Sequence, residues 1–217
     1  MMLLIGLLGG LVSSYLYISL NSQLFSTISI NNIEEKTVIQ ENTALKNGIN
    51  IVKDSLVYIN RGNEVFTGIA ITTDGLIATM SSNIRSGDII TTSSQEKVLS
   101  YNILKRDEES GIALIKIEGN RLKPVEFINP NNELIGERIY SLSIISNPTF
   151  SFSINEGIIK HKKDNLFSTS IIEFDINRSG SPVFDIEHRL IGIAKHNKDG
   201  SISIISLEKI KELAGFN

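Results

Sequence analysis

Apolar and polar residues alternate differently in different parts of the 217-residue chain. Residues 2–20 are uncharged and mostly apolar, and a helix of about 20 such residues is long enough to cross a bilayer. This run predicts a transmembrane helix at residues 1–20, with a cleaved signal peptide as the alternative. From Leu56 onward, short β-branched runs are separated by Gly, Asp, Asn and Pro, which is typical of an all-β sandwich or barrel.

The β-rich region predicts two sets of six strands. The first set lies near residues 56–60, 65–72, 76–79, 88–92, 97–105 and 112–117, and the second near 138–144, 150–160, 166–174, 182–186, 189–196 and 201–206. Leu207–Leu213 then has the apolar spacing of a short helix. The predicted organisation after the membrane helix is a linker with a short helix at 21–55, a first barrel at 56–120, a connection at 121–135, and a second barrel with a C-terminal helix at 136–217.

Composition narrows the possible functions. Lys and Arg number 21 against 24 Asp and Glu, and no basic run occurs, so nucleic acid is not an expected partner. The chain has no cysteine, which excludes disulfides, thiolate catalysis and zinc–thiolate sites. The three histidines, His161, His188 and His196, do not have metal-ligand spacing, so we expect neither a metal nor another cofactor.

One short motif carries recognisable chemistry. Residues 178–184 read Arg-Ser-Gly-Ser-Pro-Val-Phe, which resembles the nucleophile loop of trypsin-fold serine proteases with Ser179 in the nucleophile's place. A serine hydroxyl needs an adjacent base to take its proton. In that fold the base is a histidine far N-terminal to the serine, yet no histidine of this chain precedes His161.

Five blocks in order extend the resemblance to the protease domain of the HtrA family, over residues 56–213. They are F-T-G-I-A-I and D-G-L-I-A-T at 66–71 and 74–79, R-D and I-A-L-I-K-I at 106–107 and 112–117, I-G-E-R-I-Y and N-P at 135–140 and 147–148, N-E-G-I-I at 155–159, and S-G-S-P-V-F and L-I-G-I at 179–184 and 190–193. The resemblance implies an all-β, trypsin-like double six-stranded β-barrel with a short C-terminal helix, here preceded by the predicted transmembrane helix.

Two departures from the family pattern fall on the catalytic residues. The family's general-base histidine follows the D-G-x-I-x-T strand in T-N-x-H-V, and Ser82 stands at that position. The family's orienting aspartate precedes L-A-L-I-K-I, where this chain has Gly111. Serine has no basic nitrogen and glycine has no side chain, so the resemblance implies that base and orienter are both missing.

The oxyanion region is expected to differ as well. In the family, the backbone N–H groups of the nucleophile and of the glycine two residues before it bind the oxyanion. Here Asn177 and Arg178 precede Ser179, and the segment leading to the serine is shorter than the family's. A displaced donor costs on the order of 2.7–4 kcal/mol of transition-state stabilisation. The resemblance therefore implies an impaired oxyanion hole.

These features predict a membrane-anchored HtrA-like homologue without catalytic activity that binds a peptide or unfolded protein segment. Trypsin-fold domains bind a substrate as an added strand, which requires no catalytic residue. The last predicted strand is expected to supply the pairing edge, through Ser201, Ile202, Ser203 and Ile204. We expect a single-pass membrane protein with its barrels on the extracytoplasmic side, in the periplasm or at the cell surface, mainly from the resemblance.

Two alternatives stay open. An active trypsin-like endopeptidase would need a rewired site in which Lys160 or Lys195 activates Ser179, and both lysines lie at the ends of predicted strands. His196 is interpreted as a surface histidine before a turn. A scaffold subunit would instead use its outer surface to contact a membrane protein partner. The sequence carries no signal for the oligomeric state.

Overall fold

The computed structural model of the chain describes residue 17 and residues 45–92, 98, 100–118, 122–129, 133–146 and 151–216. The chain divides into two compact units, Met1–Lys46 and Asn47–Asn217. In the first unit only Tyr17, Leu45 and Lys46 are described, so nearly all of the predicted membrane helix lies outside the described residues. No helix within those residues has the length and apolar character needed to cross a membrane.

Within the described residues of the second unit, helical residues 47–52 precede twelve strands and a C-terminal helix. The strands are β1 (Leu56–Arg61), β2 (Glu64–Ala70), β3 (Leu76–Met80), β4 (Ile89–Thr92), β5 (Tyr101–Arg106), β6 (Ile112–Ile117), β7 (Arg138–Ser146), β8 (Ser151–Lys163), β9 (Leu166–Ile172), β10 (Pro182–Asp185), β11 (Leu190–His196) and β12 (Ser201–Ser206). Each predicted strand is confirmed, with ends that move by a few residues because local patterns define strand cores better than strand ends.

The first six strands form one antiparallel sheet in the order β4-β1-β2-β3-β6-β5. Val and Ile dominate its buried side, because β-branched side chains pack well on a pleated surface. The sequence predicts a closed barrel for these strands. In the described residues, however, no ladder of hydrogen bonds joins the edge strands β4 and β5. On the β4 side of this gap, the N–H of Val98 donates to the carbonyl of Ile90 at 2.8 Å.

The last six strands form a closed antiparallel barrel in the order β10-β11-β12-β9-β8-β7, as predicted. The burial pattern of β9 shows why these residues form strands of a barrel. Phe167, Thr169 and Ile171 are buried while the residues between them are partly or fully exposed, which is the two-residue period of a strand with one face in the core. Closure gives every strand of this barrel a neighbour on each side, so a peptide can add only where the pairing of a strand stops short of its end.

The C-terminal helix, Leu207–Ala214, confirms the predicted helix at 207–213. The hydroxyl of Ser206 accepts the N–H of Lys209 and caps its start. Leu207, Ile210 and Leu213 are its buried residues, at helical spacing.

The two sheets meet at Thr67 on β2. Its hydroxyl accepts the N–H of Ile144 on β7 at 3.0 Å, and its carbonyl accepts the hydroxyl of Thr79 on β3 at 2.8 Å. These buried bonds join the end of β3 to the second barrel. Because Ser82 follows β3, this junction positions the candidate site.

Candidate functional site

Ser179 lies between a 3-10 turn, Ile176–Arg178, and the start of β10. Only 7% of the residue is exposed. Behind it, the N–H of Gly180 donates to the carbonyl of Ala194 at 2.7 Å, and the N–H of Ala194 donates to the carbonyl of Ser181 at 2.8 Å. The candidate nucleophile is therefore held against β11 by a pair of backbone bonds.

The first sheet contacts the same turn through Asn83. This residue is 2% exposed, and its Nδ2 donates to the carbonyl of Ser179 at 2.6 Å. Gly180 has φ +88°, and a Cβ on it would lie 2.5 Å from the same Nδ2, so the turn requires glycine. The sequence pattern alone does not single out Asn83. The sequence does contain one indication, because Asn83 is a polar residue at the position where the T-N-x-H-V pattern has its apolar residue.

Ser82 is not directed at the candidate nucleophile. Its hydroxyl donates to Oδ1 of Asn83 at 3.2 Å, and its carbonyl accepts Nη2 of Arg61 at 3.0 Å. Arg106 on β5 binds the same turn, because its Nη2 donates to the carbonyl of Ile84 at 2.6 Å. The turn that carries Ser82 is thus fixed by two guanidinium groups, and its serine cannot act as a general base.

Gly111 lies beside this turn, because its carbonyl accepts the N–H of Ser81 at 2.6 Å. The structure therefore brings together the segments that carry Ser82 and Gly111. Gly111 has φ +80°, a left-handed conformation that residues with a Cβ rarely adopt. A Cβ there would lie 3.0 Å from the terminal methyl of Met80, so Met80 fills space that a side chain at 111 would need.

The turn before Ser179 uses its own N–H groups. The N–H of Asn177 donates to Oδ1 of Asp175 at 3.0 Å, and the N–H of Ser179 donates to the carbonyl of Ile176 at 3.0 Å. Arg178 Nη2 also pairs with Oδ2 of Asp175 at 3.0 Å. Both N–H groups at the expected oxyanion positions are therefore bound within the turn, and neither is free for an incoming oxyanion.

His196 contacts Ser179 through its backbone only. Its N–H lies 3.4 Å from the Oγ of Ser179, whereas within the described residues its imidazole makes no hydrogen bond to that hydroxyl. Contrary to the sequence interpretation, Nε2 of His196 is buried and has no partner in the described part of the chain. Burial lowers the pKa of His196, and the carboxylates of Glu173 and Asp175 oppose that shift.

The other candidate bases lie elsewhere. Lys160 and His161 are exposed on β8, and Lys195 lines a cavity bordered by Asn165 and the C-terminal helix. His188 Nδ1 lies 3.0 Å from the hydroxyl of Tyr140. None of these side chains hydrogen-bonds to the candidate nucleophile in the described contacts. Across the described residues, no three His, Asp or Glu side chains are grouped to hold a metal ion.

The trypsin-like peptidase domain family matches residues 66–193, which is more than half of the chain. The chain belongs to this family. It is similar to proteins described as probable periplasmic serine endoprotease DegP-like, at 31% identity over 135 residues in Pseudomonas fulva and 30% over 135 residues in Ectopseudomonas mendocina. Each match covers 58% of this chain but only 28% of the relative's length. The predicted HtrA-like resemblance is confirmed.

The closed second barrel of this trypsin-like domain corrects one prediction. Strand β12 has β11 on one side and β9 on the other, and Ser203 pairs with both Lys195 and Ser168. Ser201–Ile204 therefore does not present an open edge. Barrel closure occupies both sides of the strand, and the alternating sequence alone does not reveal that.

The edge of the trypsin-like domain that faces Ser179 belongs to β11 instead. Ala194 directs its N–H and carbonyl to the turn behind the serine, and backbone groups two residues apart point the same way in a strand. The N–H of His196 therefore continues that edge, where its partner among the described residues is the Oγ of Ser179 at 3.4 Å. Strand β10 begins at Pro182 and does not cover this end of β11.

An apolar row borders the same place. Ile172, Phe174 and Ile176 are 60%, 82% and 70% exposed, whereas Glu173 and Asp175 between them bind groups of the domain itself. The Glu173 carboxylate accepts the side-chain amide of Asn155, and the Asp175 carboxylate accepts the backbone N–H of Asn177. The segment thus exposes its large apolar side chains, while Glu173 and Asp175 between them are bonded within the domain.

Proposed function

We propose that this chain is a membrane-anchored, HtrA-like pseudoprotease that holds a polypeptide in its cleft without cleaving it. The observation that carries the proposal is the turn before Ser179, where the N–H groups of Asn177 and Ser179 both donate within the turn. Removing a single oxyanion donor lowers kcat by about 10²–10³. Losing both donors, in a chain with Ser82 and Gly111 where the family has its base and orienter, leaves no route to turnover.

Polypeptide binding is supported by the end of β11 and by the apolar row. An extended chain adds to a sheet through backbone bonds, and pockets for alternate side chains give specificity. The backbone of His196 offers the first pairing position. Phe174 and Ile176 lie on the segment leading to Ser179 and offer apolar contact area. A groove built this way would bind extended, apolar-rich segments such as those of unfolded proteins.

The cellular location follows from two expectations. Residues 2–20 are long and apolar enough for a membrane anchor. The relatives in Pseudomonas fulva and Ectopseudomonas mendocina are described as periplasmic. We therefore place the barrels on the extracytoplasmic side of the membrane. Carbonate extraction of membranes tests the anchor, because a mature protein that begins near residue 21 in a soluble fraction would establish a cleaved signal peptide instead.

Catalytic inactivity is tested with casein and a serine-directed fluorophosphonate. We expect no fragments and no labelled Ser179, because the hydroxyl is not activated and a tetrahedral adduct would lack donors. Casein turnover that disappears in a Ser179→Ala variant would establish the rewired endopeptidase. That variant also serves as the blank for contaminating proteases.

Binding is tested with reduced, carboxymethylated α-lactalbumin as a permanently unfolded probe, followed by fluorescence anisotropy. We expect Phe174→Ser to weaken binding at least about fivefold, which corresponds to roughly 1 kcal/mol. The matched control is Ile186→Ser, a large apolar residue that is 54% exposed in the turn after β10. Equal affinities for both variants and the unchanged protein would exclude the apolar row and favour the scaffold role.

A further inference from the structure

We propose that the domain has a second ligand site, a pocket for a small organic anion that Lys195 of β11 lines together with the β8–β9 turn and the start of the C-terminal helix. A cavity of about 360 Å³ opens between the turn before β6, the β8–β9 turn, β11, and the C-terminal helix. This volume is in the range of small-molecule sites. The triad positions and the apolar row do not contribute to it.

The cationic groups of the pocket come from three separate elements. Lys163 ends β8, Lys195 lies on β11, and Lys209 lies in the first turn of the helix. Lys209 is paired with Glu212 at 3.1 Å. Within the described part of the chain, no carboxylate forms an ion pair with Lys163 or Lys195. Two ammonium groups are therefore left for an anion from outside.

The remaining lining defines the class of ligand. Leu166 and Ile205 contribute apolar surface, and the carboxylates of Glu109 and Asp164 also line the cavity. Two acids in the lining disfavour a highly charged polyanion, because like charges repel at short range. The pocket therefore suits a single carboxylate or phosphate group on the two free lysines, carried by a short aliphatic chain that lies against Leu166 and Ile205.

The position of the pocket connects it to the candidate groove. Lys195 lines the pocket, and the backbone N–H of the next residue, His196, lies 3.4 Å from the Oγ of Ser179 at the edge of β11. An anion bound to Lys195 would hold the end of β11 in place. It would thereby order the backbone that the peptide needs, although anion binding itself does not depend on peptide binding.

Isothermal titration of the full chain tests the site with two probes, hexanoate and inorganic phosphate. We expect millimolar or tighter binding of hexanoate, and at least about tenfold weaker binding in both Lys163→Gln and Lys195→Gln. The matched control is Lys162→Gln, which removes the adjacent β8 lysine that lies 5.2 Å over the ring of Phe167 and points to the other face. Its affinity should be unchanged.

Each outcome either supports or overturns the proposed anion pocket. Hexanoate binding that is weakened by Leu166→Ser as well as by the lysine variants supports an anion with an aliphatic portion. Phosphate binding of equal strength, insensitive to Leu166→Ser, supports a site for the bare oxyanion group. No heat with either probe, or equal weakening by Lys162→Gln, overturns the site, since the response would then reflect general surface charge.

Discussion

The two turns that flank Ser179 are held by different kinds of bond. Behind the serine, Gly180 bonds to Ala194 on β11, and the carbonyl of Ser179 accepts Asn83 from the first sheet. Before the serine, the backbone N–H groups of Asn177 and Ser179 donate to acceptors of Asp175 and Ile176 within the same turn. The backbone of the turn behind the serine is bonded to distant parts of the domain. In the turn before it, these backbone N–H groups bond locally, and the Arg178 side chain donates to Ile144 on β7.

This difference is the physical basis of the proposed inactivity, in which a trypsin-like domain has a serine at the candidate nucleophile position but no free oxyanion donors. An oxyanion hole needs N–H groups that point at empty space, and such groups stay free only when surrounding structure prevents a local bond. In the short turn at Asp175–Arg178, the Arg178 side chain donates to the carbonyl of Ile144 on β7 at 2.9 Å, but the backbone N–H groups of Asn177 and Ser179 still close onto acceptors within the turn. The turn behind the serine remains because its bonds also hold the two sheets together.

Gly180→Ala should produce the largest effect, because it breaks the turn that the whole domain shapes. A Cβ at 180 would meet Asn83 at 2.5 Å and Thr79 at 3.0 Å. We expect the free energy of unfolding to fall by about 3 kcal/mol or more in urea denaturation. Gly136→Ala is the matched control, since its φ is also +88° but nothing lies within 4 Å of the added Cβ. It should cost only about 1–2 kcal/mol. Equal losses would show that backbone conformation alone matters.

Asn83→Ala should give the next largest loss. It removes the donor to the carbonyl of Ser179 and leaves a buried acceptor unpaired, which costs about 1–3 kcal/mol. Ser82→Ala, one residue away, removes only a local bond and should change stability by less than about 0.5 kcal/mol. Urea denaturation of both variants measures the difference. A larger loss for Ser82→Ala would transfer the anchoring role to Ser82.

Restoring the triad should not restore the protease. Ser82→His combined with Gly111→Asp supplies a base and an orienter, but the oxyanion donors stay bound in the turn, so casein should remain intact. Gly111→Asp alone should also destabilise the domain by about 1–2 kcal/mol, because φ at 111 is +80° and Met80 occupies the side-chain space. Strong casein turnover by the double variant would show that the turn opens when substrate binds.

The smallest effect is a pH dependence of stability. Burial lowers the pKa of both His188 and His196 below their usual value, so as pH falls the unfolded chain takes up protons before the folded one does. Stability is therefore complete above about pH 6.5 and declines toward pH 5. His196→Gln should flatten this decline in thermal melts, whereas exposed His161→Gln should not. A decline unaffected by His196→Gln would assign it to other groups.

Much of the fold could be predicted because it depends on short-range patterns. The alternation within β9 and the apolar spacing of Leu207, Ile210 and Leu213 mark elements that bury one face, whatever their partners are. The residues at the candidate catalytic positions could likewise be read directly. Ser82 and Gly111 are identified by their place in blocks of sequence, and those blocks do not depend on long-range contacts.

The tertiary structure alone decided how these residues are used. Contacts between residues far apart in sequence decide three features of the site. They determine the strands beside β12, the distance of the His196 imidazole from Ser179, and the direction of the Asn83 amide. A backbone N–H is the same group in every residue, and only the folded chain determines which acceptor lies within its reach. The sequence therefore identified a trypsin-like domain and the residues at its candidate catalytic positions, and the three-dimensional contacts determined which donors and edges remain available.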